Sequence, residues 1–197
     1  AGMATLEVDS FTPRGARNGS DRNAPVLCDR LQDAWGALVF LSKDARIDPH
    51  QIGVAGFSSG GAVAILAAMG VRPARLARDN LVLPRELVYA AHFALYPGCA
   101  NIMDDQQRIR SWITPDDHKT GVLLASLFTS YRAQTTILNV RMVDGATHAF
   151  DWPSSPPPAF SPFAKAQTGG MVAMRYSAKE AEVARLEMVD FFQKRLR

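Results

Sequence analysis

The sequence predicts an α/β fold, a mostly parallel sheet with helices on both faces, in one domain over residues 1–197. Three observations carry that expectation. Short apolar runs alternate with longer amphipathic segments along the chain, the order from which parallel sheets are built. An apolar run at 51–57 passes through a glycine-rich bend straight into a helical run at 59–69. The last segment, from Ser177, carries a capping signature followed by an apolar stripe.

Taken in order, residues 3–8 form an apolar, strand-like run closed by turn residues at 9–15. Residues 16–24 are polar and read as a loop. From Pro25 to about Lys43, apolar residues including Leu27, Leu31, Trp35, Leu38 and Val39 recur at three- and four-residue steps. That spacing predicts a helix with one buried face and Pro25 in its first turn. Residues 51–57 predict a strand buried on both faces. Small residues through 59–69 predict a closely packed helix. Residues 88–96 predict another strand, closed by Pro97-Gly98. Residues 109–113 and 136–143 read as further strands and 119–133 as a helix. Five prolines and two glycines make 153–170 a loop with little regular structure. The final helix is capped by Ser177 with Glu180 three residues on. Its stripe is Ala181, Ala184, Leu186, Met188, Val189, Phe191 and Phe192.

Composition excludes several classes. Hydrophobic residues make up 47% and charged residues 21%, the balance of an ordinary globular protein. The net charge is +3, and outside the Lys194-Arg195-Leu196-Arg197 tail the basic residues are scattered without interleaved aromatics, which argues against a nucleic-acid partner. No apolar stretch reaches the roughly 18–20 residues that cross a bilayer, so no membrane association is expected. The N-terminal residues lack a signal-peptide pattern, and a soluble, cytoplasmic protein is expected. Cys28 and Cys99 form no CxxC pair and read as two buried thiols, with a single disulfide as the alternative. No metal and no cofactor is expected.

The most informative residues are Gly56-Phe57-Ser58-Ser59-Gly60, followed by Gly61. They fit G-x-S-x-G, in which a serine sits on a sharp strand-to-helix turn and the two glycines make room for it. The turn aims the hydroxyl outward at the helix N-terminus, where the dipole favours developing negative charge. The alternative is a glycine-rich turn with an idle serine. The position between a strand run and a helical run favours Ser58 as nucleophile. The Ser59 backbone N–H is the expected oxyanion donor.

A serine needs a base, and the base an orienting acid. Of four histidines, His50 precedes the serine in a turn, and His92 lies mid-strand as a hydrogen-bonded core residue. His118 adjoins two aspartates in a polar turn. His148, in a loop just after an apolar run, is the expected base. The acid lies among Asp104, Asp105, Asp116 and Asp117, with Asp116 favoured because it ends a short strand-like run.

Beyond the elbow, the chain resembles the dienelactone hydrolase family of the α/β-hydrolase superfamily. The segments carrying the resemblance are Val8-Asp9-Ser10-Phe11-Thr12-Pro13-Arg14-Gly15, Asp33-Ala34-Trp35-Gly36-Ala37-Leu38 and Ile47-Asp48-Pro49. They continue with Gly53-Val54-Ala55-Gly56-Phe57-Ser58-Ser59-Gly60-Gly61, Ala90-Ala91-His92-Phe93-Ala94-Leu95-Tyr96-Pro97-Gly98-Cys99 and Gly145-Ala146-Thr147-His148-Ala149-Phe150-Asp151. The resemblance implies an α/β-hydrolase-like fold and cofactor-free hydrolysis of small esters or lactones. Ser58 falls on the family's nucleophile, His148 on its base, and Asp116 on the acid expected about thirty residues before that histidine. Serine in place of the cysteine of dienelactone hydrolases proper points to a serine esterase-like branch. Set against the family, the chain is expected to be shortened at the N-terminus, lacking early strands and the H-G-G-like loop that supplies a second oxyanion donor.

The expected activity is therefore carboxylic ester hydrolysis by Ser58, His148 and Asp116 on a small-molecule substrate. Phe57, Phe150 and Trp152 are candidates to wall the acyl or alcohol pocket, and Arg14 to meet a substrate carboxylate. Two alternatives stand beside it: a catalytically impaired hydrolase-fold binding or scaffold protein, and a thioesterase. The exposed 3–8 edge is expected to pair with a second copy, giving a homodimer.

Overall fold

The computed structural model describes residues 2–19, 21–72, 83–97, 143, 146–154, 159–160, 171–172 and 174–196. The expected elements at 109–113, 119–133 and most of 136–143 lie outside them, as do Asp104, Asp105, Asp116, Asp117, His118 and Cys99. Packing divides the chain into two units, one of Ala1–Pro97 with Met188–Arg197, the other of Gly98–Glu187.

The first unit is an α/β arrangement built on two parallel strands. Helix α1 spans Leu27–Ser42, strand β1 Gly53–Phe57, helix α2 Ser59–Ala68 and strand β2 Ala91–Leu95. β1 and β2 pair in parallel with Gly53 opposite Ala91 and Phe57 opposite Leu95. α2 lies in the crossover between them, the usual kind of link for a parallel pair. The α1 helix begins two residues later than the expected start at Pro25. Val26 is the residue before the first turn, so Pro25 lies outside the helix. Val26 donates its N–H to Asp29 Oδ2 at 3.1 Å, and Asp29 also suits the positive end of the dipole.

The core of this unit lies between α1 and α2. Leu31, Trp35, Leu38 and Leu66 are fully buried. α2 is apolar all round and buried from Gly61 to Ala67, as such a helix must be. Two polar tips in this core, on Trp35 and Tyr89, are satisfied. Trp35 Nε1 donates to the Val71 carbonyl at 2.9 Å and Tyr89 Oη to the Ala34 carbonyl at 2.5 Å, while the two rings pack 5.7 Å apart. Arg72 lies over the Trp35 ring and donates to the carbonyls of Leu83, Pro84, Arg85 and Leu87, tying 83–87 to the core.

Two expectations are corrected here. Residues 3–8 join no ladder among the described residues, and Leu6 and Val8 stay 46% and 43% exposed. Apolar spacing alone does not make a strand without a partner. Nor is β1 covered on both faces. Phe192 meets the face at Gly53, and Phe93 on the neighbouring strand packs on Phe191 and Phe192, but Ala55 and Phe57 further along remain exposed.

The last helix, α3, spans Ala178–Arg195 and starts where its capping signature predicts. The Ser177 hydroxyl donates to the Glu180 carboxylate, which therefore titrates lower than usual. Within the predicted stripe, Ala184 and Phe192 are buried but Leu186 is 51% exposed, so the stripe is narrower than its sequence indicates. In the second unit, β3 (Ala159–Phe160) and β4 (Met171–Val172) form a short antiparallel pair inside and just beyond the proline-rich segment read as irregular. Among the described residues no helix is long and apolar enough to cross a membrane.

Candidate active site

The elbow lies wholly in the first unit. β1 runs into Ser58, whose N–H continues the ladder by donating to the Leu95 carbonyl at 3.1 Å. Ser58 then turns with φ 52° and ψ −119°, and α2 starts at Ser59. A side chain at positive φ is strained by about 1–3 kcal/mol and persists only where its surroundings impose it. Here the ladder bond on one side and the Ala62 N–H bond to the Ser58 carbonyl at 3.2 Å on the other fix the turn.

The glycine requirement differs from the motif's. A Cβ on Gly56 would overlap the Gly60 carbonyl, because β1 and the start of α2 cross there. Gly60 itself has room, with Arg30 Nη2 the nearest atom at 3.7 Å. The second crowded glycine is Gly61, where a Cβ would stand 3.0 Å from Pro97 Cα and 3.2 Å from the Leu95 carbonyl oxygen. The motif therefore reads correctly at its first glycine, while the crowding expected at Gly60 falls one residue later.

At the N-terminus of α2, the N–H groups of Ser59 and Gly60 have no acceptor within the helix, since the first turn of any helix leaves its donors unpaired. Donors so placed at a helix N-terminus suit an anion. Beside them stands a residue the sequence did not single out. Arg30, in the first turn of α1, donates from Nη1 to Ser59 Oγ, and its guanidinium lies 5.4 Å from the Phe11 ring centroid. Burial pushes the Arg30 pKa down, against the field of Asp33. The signal was invisible because Arg30 and Ser59 lie 29 positions apart and neither belongs to a shared pattern.

Arg14 is occupied otherwise than expected. Its guanidinium grips Asp33 with two bonds, Nη1 to Oδ2 at 2.7 Å and Nη2 to Oδ1 at 2.9 Å, and also donates to the Ser10 carbonyl. A substrate carboxylate would have to displace Asp33. The pair instead ties the 10–14 segment to α1. Phe57 is 42% exposed beside the Tyr96 ring, 6.2 Å away.

The histidine loop belongs to the second unit. His148 bridges to Met174, and Thr147 holds Arg175 on both sides, its Oγ1 accepting from the Arg175 N–H at 2.8 Å and donating to the Arg175 carbonyl at 3.2 Å. The Ser177 N–H donates to the Phe150 carbonyl at 2.8 Å. The loop is thereby stitched to the residues leading into α3. Ala149, directly after His148, takes φ 54°. Burial lowers the His148 pKa, and the negative field of Asp151 raises it in part. The net effect favours the neutral imidazole, the form a general base requires. Phe150 is buried at 4% exposure, and Trp152 is 54% exposed.

His92 differs from its expected role as a hydrogen-bonded core residue. Its Nε2 is buried and meets no hydrogen-bond partner among the described residues, and desolvation lowers its pKa to about 4. Among the described residues no three His, Cys, Asp or Glu side chains gather as a metal site would require. A scan against protein-family models finds no match for the chain, and searches of curated proteins and of solved structures find none either.

Proposed function

We propose that the chain is a serine hydrolase with an α/β-hydrolase-like fold that cleaves small carboxylic esters or lactones through an acyl-enzyme. The observation that carries this reading is the backbone of Ser58, held at φ 52° between a parallel strand and a helix N-terminus. Strain of that kind gathers at functional positions. Among the described non-glycine residues, positive φ occurs at Ser58, at Tyr96 and at Ala149 beside His148, so two of the three fall on segments expected to carry the chemistry.

In this mechanism His148 takes the Ser58 proton as Oγ attacks the ester carbonyl. The tetrahedral oxyanion is met by the Ser59 N–H at the positive end of α2. Asp116 holds the imidazolium. The alcohol leaves with the proton from His148, and the acyl group stays on Ser58. A water deprotonated by His148 then attacks the acyl-enzyme and releases the acid, restoring the hydroxyl.

The test is hydrolysis of p-nitrophenyl acetate by the wild type and by Ser58→Ala, with fluorophosphonate labelling mapped by mass spectrometry. Turnover is expected to fall at least about 10³-fold in Ser58→Ala, with the label on Ser58. Equal rates in the two proteins would remove the enzyme reading and leave a binding or scaffold protein. Side-by-side rates on matched ester and thioester substrates separate an esterase from a thioesterase.

A further inference from the structure

Arg30 is an unusual neighbour for a helix N-terminus. The macrodipole already makes that end positive, so a cation beside it is repelled rather than attracted. Burial adds a desolvation cost, seen in the lowered Arg30 pKa. Nor does a carboxylate compensate directly. Asp33 has both oxygens engaged by Arg14, and Arg30 forms no ion pair among the described residues. Its placement is nevertheless well determined. Asp9 Oδ1 accepts from the Phe11 and Thr12 N–H groups, fixing the loop that sets the Phe11 ring against the guanidinium. The same guanidinium donates from Nη1 to Ser59 Oγ, and its Nη2 lies 3.7 Å from where a Cβ on Gly60 would stand.

We propose that Arg30 is a positioning residue of the elbow, clamping the first turn of α2 through Ser59 Oγ so that the Ser59 amide is held toward the oxyanion. This rests on the hydrolase reading above. Ser59 supplies two groups with separate tasks, its amide facing the reacting oxygen and its hydroxyl serving as the handle by which α1 holds the turn. The clamp adds a side-chain tie from α1 to the Ser58 ladder bond and the Ala62–Ser58 bond that also restrain the first turn of α2. A donor free to swing loses part of its value, because an oxyanion hole works by being fixed before charge develops.

The experiment is a double-mutant cycle of Arg30→Ala and Ser59→Ala, with Arg30→Lys as the conservative variant, read by p-nitrophenyl acetate kinetics and by hydrogen exchange at the Ala62 amide. Each alanine variant is expected to lower kcat about tenfold with KM changed less than about twofold. The double variant is expected to be no slower than the worse single, because both remove one contact. Arg30→Lys, which keeps a donor for Ser59 Oγ, recovers most of the rate. Ala62 exchange rises in each single variant and no further in the double. Multiplying effects on kcat, a change confined to KM, or unaltered Ala62 exchange overturns the proposal. If the wild type shows no Ser58-dependent turnover, the hydrolase reading fails, and the exchange measurement alone decides whether the clamp exists. Ser59→Ala and Arg30→Lys carry the test should Arg30→Ala fail to fold.

Discussion

Gly61 faces Pro97 so closely that a single methyl group on the glycine would stand 3.0 Å from the proline Cα. α2 and the end of β2 therefore pack through a missing side chain, and the elbow owes its shape to two such approaches, at Gly56 and Gly61. The three glycines should rank differently from the order the motif implies. Gly56→Ala drives a methyl into the Gly60 carbonyl and is expected to cost more than about 4 kcal/mol, the range in which a fold of this size fails. Gly61→Ala costs about 1–3 kcal/mol, because Pro97 must give way. Among the described residues a methyl at Gly60 meets Arg30 at 3.7 Å, and Gly60→Ala is expected to be neutral or stabilising by up to about 1 kcal/mol, since alanine is the better helix former. Urea denaturation of the three variants gives the order directly.

The Arg14–Asp33 fork leads to a second expectation. Both side chains are partly exposed, 33% and 22%, so the pair is weaker than a buried one. Two parallel charge-assisted bonds nevertheless anchor the 10–14 segment on α1. Asp33→Ala is expected to lower stability by about 1–2 kcal/mol, and Arg14→Ala in that background to add little. Arg14→Lys, which cannot form the fork, should resemble the alanine variant rather than the wild type. Additive losses in a denaturation cycle would show that the two residues act independently.

How legible this was in the sequence depends on the range of the signal. α1, α2, α3 and the paired strands β1 and β2 announced themselves because each carries its own period or its own turn. Gly56 was legible because a strand entering a helix through Ser58 leaves no room for a side chain there. Gly61 was not, since its clash is with Pro97, brought near only when β2 pairs with β1. Residues 3–8 show the opposite error, an apolar pattern with no ladder to join. Arg14 and Arg30 look equivalent as letters, yet one grips a carboxylate 19 positions away and the other a serine 29 positions away. Such partners are chosen by the fold, and no local rule reveals them.

His148 supplies a pH prediction whose sign follows from its surroundings. Burial holds its pKa below the ordinary histidine value of 6.5, and Asp151 opposes that shift. In the proposed mechanism His148 acts as base in its neutral form, so kcat/KM is expected to rise with pH through one ionisation below 6.5 and be flat from there to neutrality. Removing the charge of Asp151 takes away the influence that favours the imidazolium. Asp151→Asn is therefore expected to move the acid limb to still lower pH, with the plateau little changed. A shift to higher pH, or none, would count against Asp151 as the source of that field.

His92 makes the last prediction, and it concerns stability rather than turnover. Its Nε2 is buried without a partner among the described residues, and its ring packs edge-on against Tyr89 at 6.0 Å. The folded protein prefers the neutral ring, with a pKa lowered from 6.5 to about 4, whereas the unfolded chain titrates normally. Above 6.5 both states are neutral and the stability is fully present. As pH falls from 6.5 to about 4 the unfolded state takes up the proton first, and up to roughly 3 kcal/mol is lost. Below 4 both states are protonated and this loss is complete. His92→Phe preserves the edge-on packing, removes the unpaired nitrogen and cannot titrate. Urea unfolding at pH 7.5 and pH 4.5 should therefore show a smaller drop for the variant than for the wild type, the difference isolating His92 from carboxylates that titrate in both proteins. Identical drops would mean that the wild-type ring finds a partner for its proton on acidification.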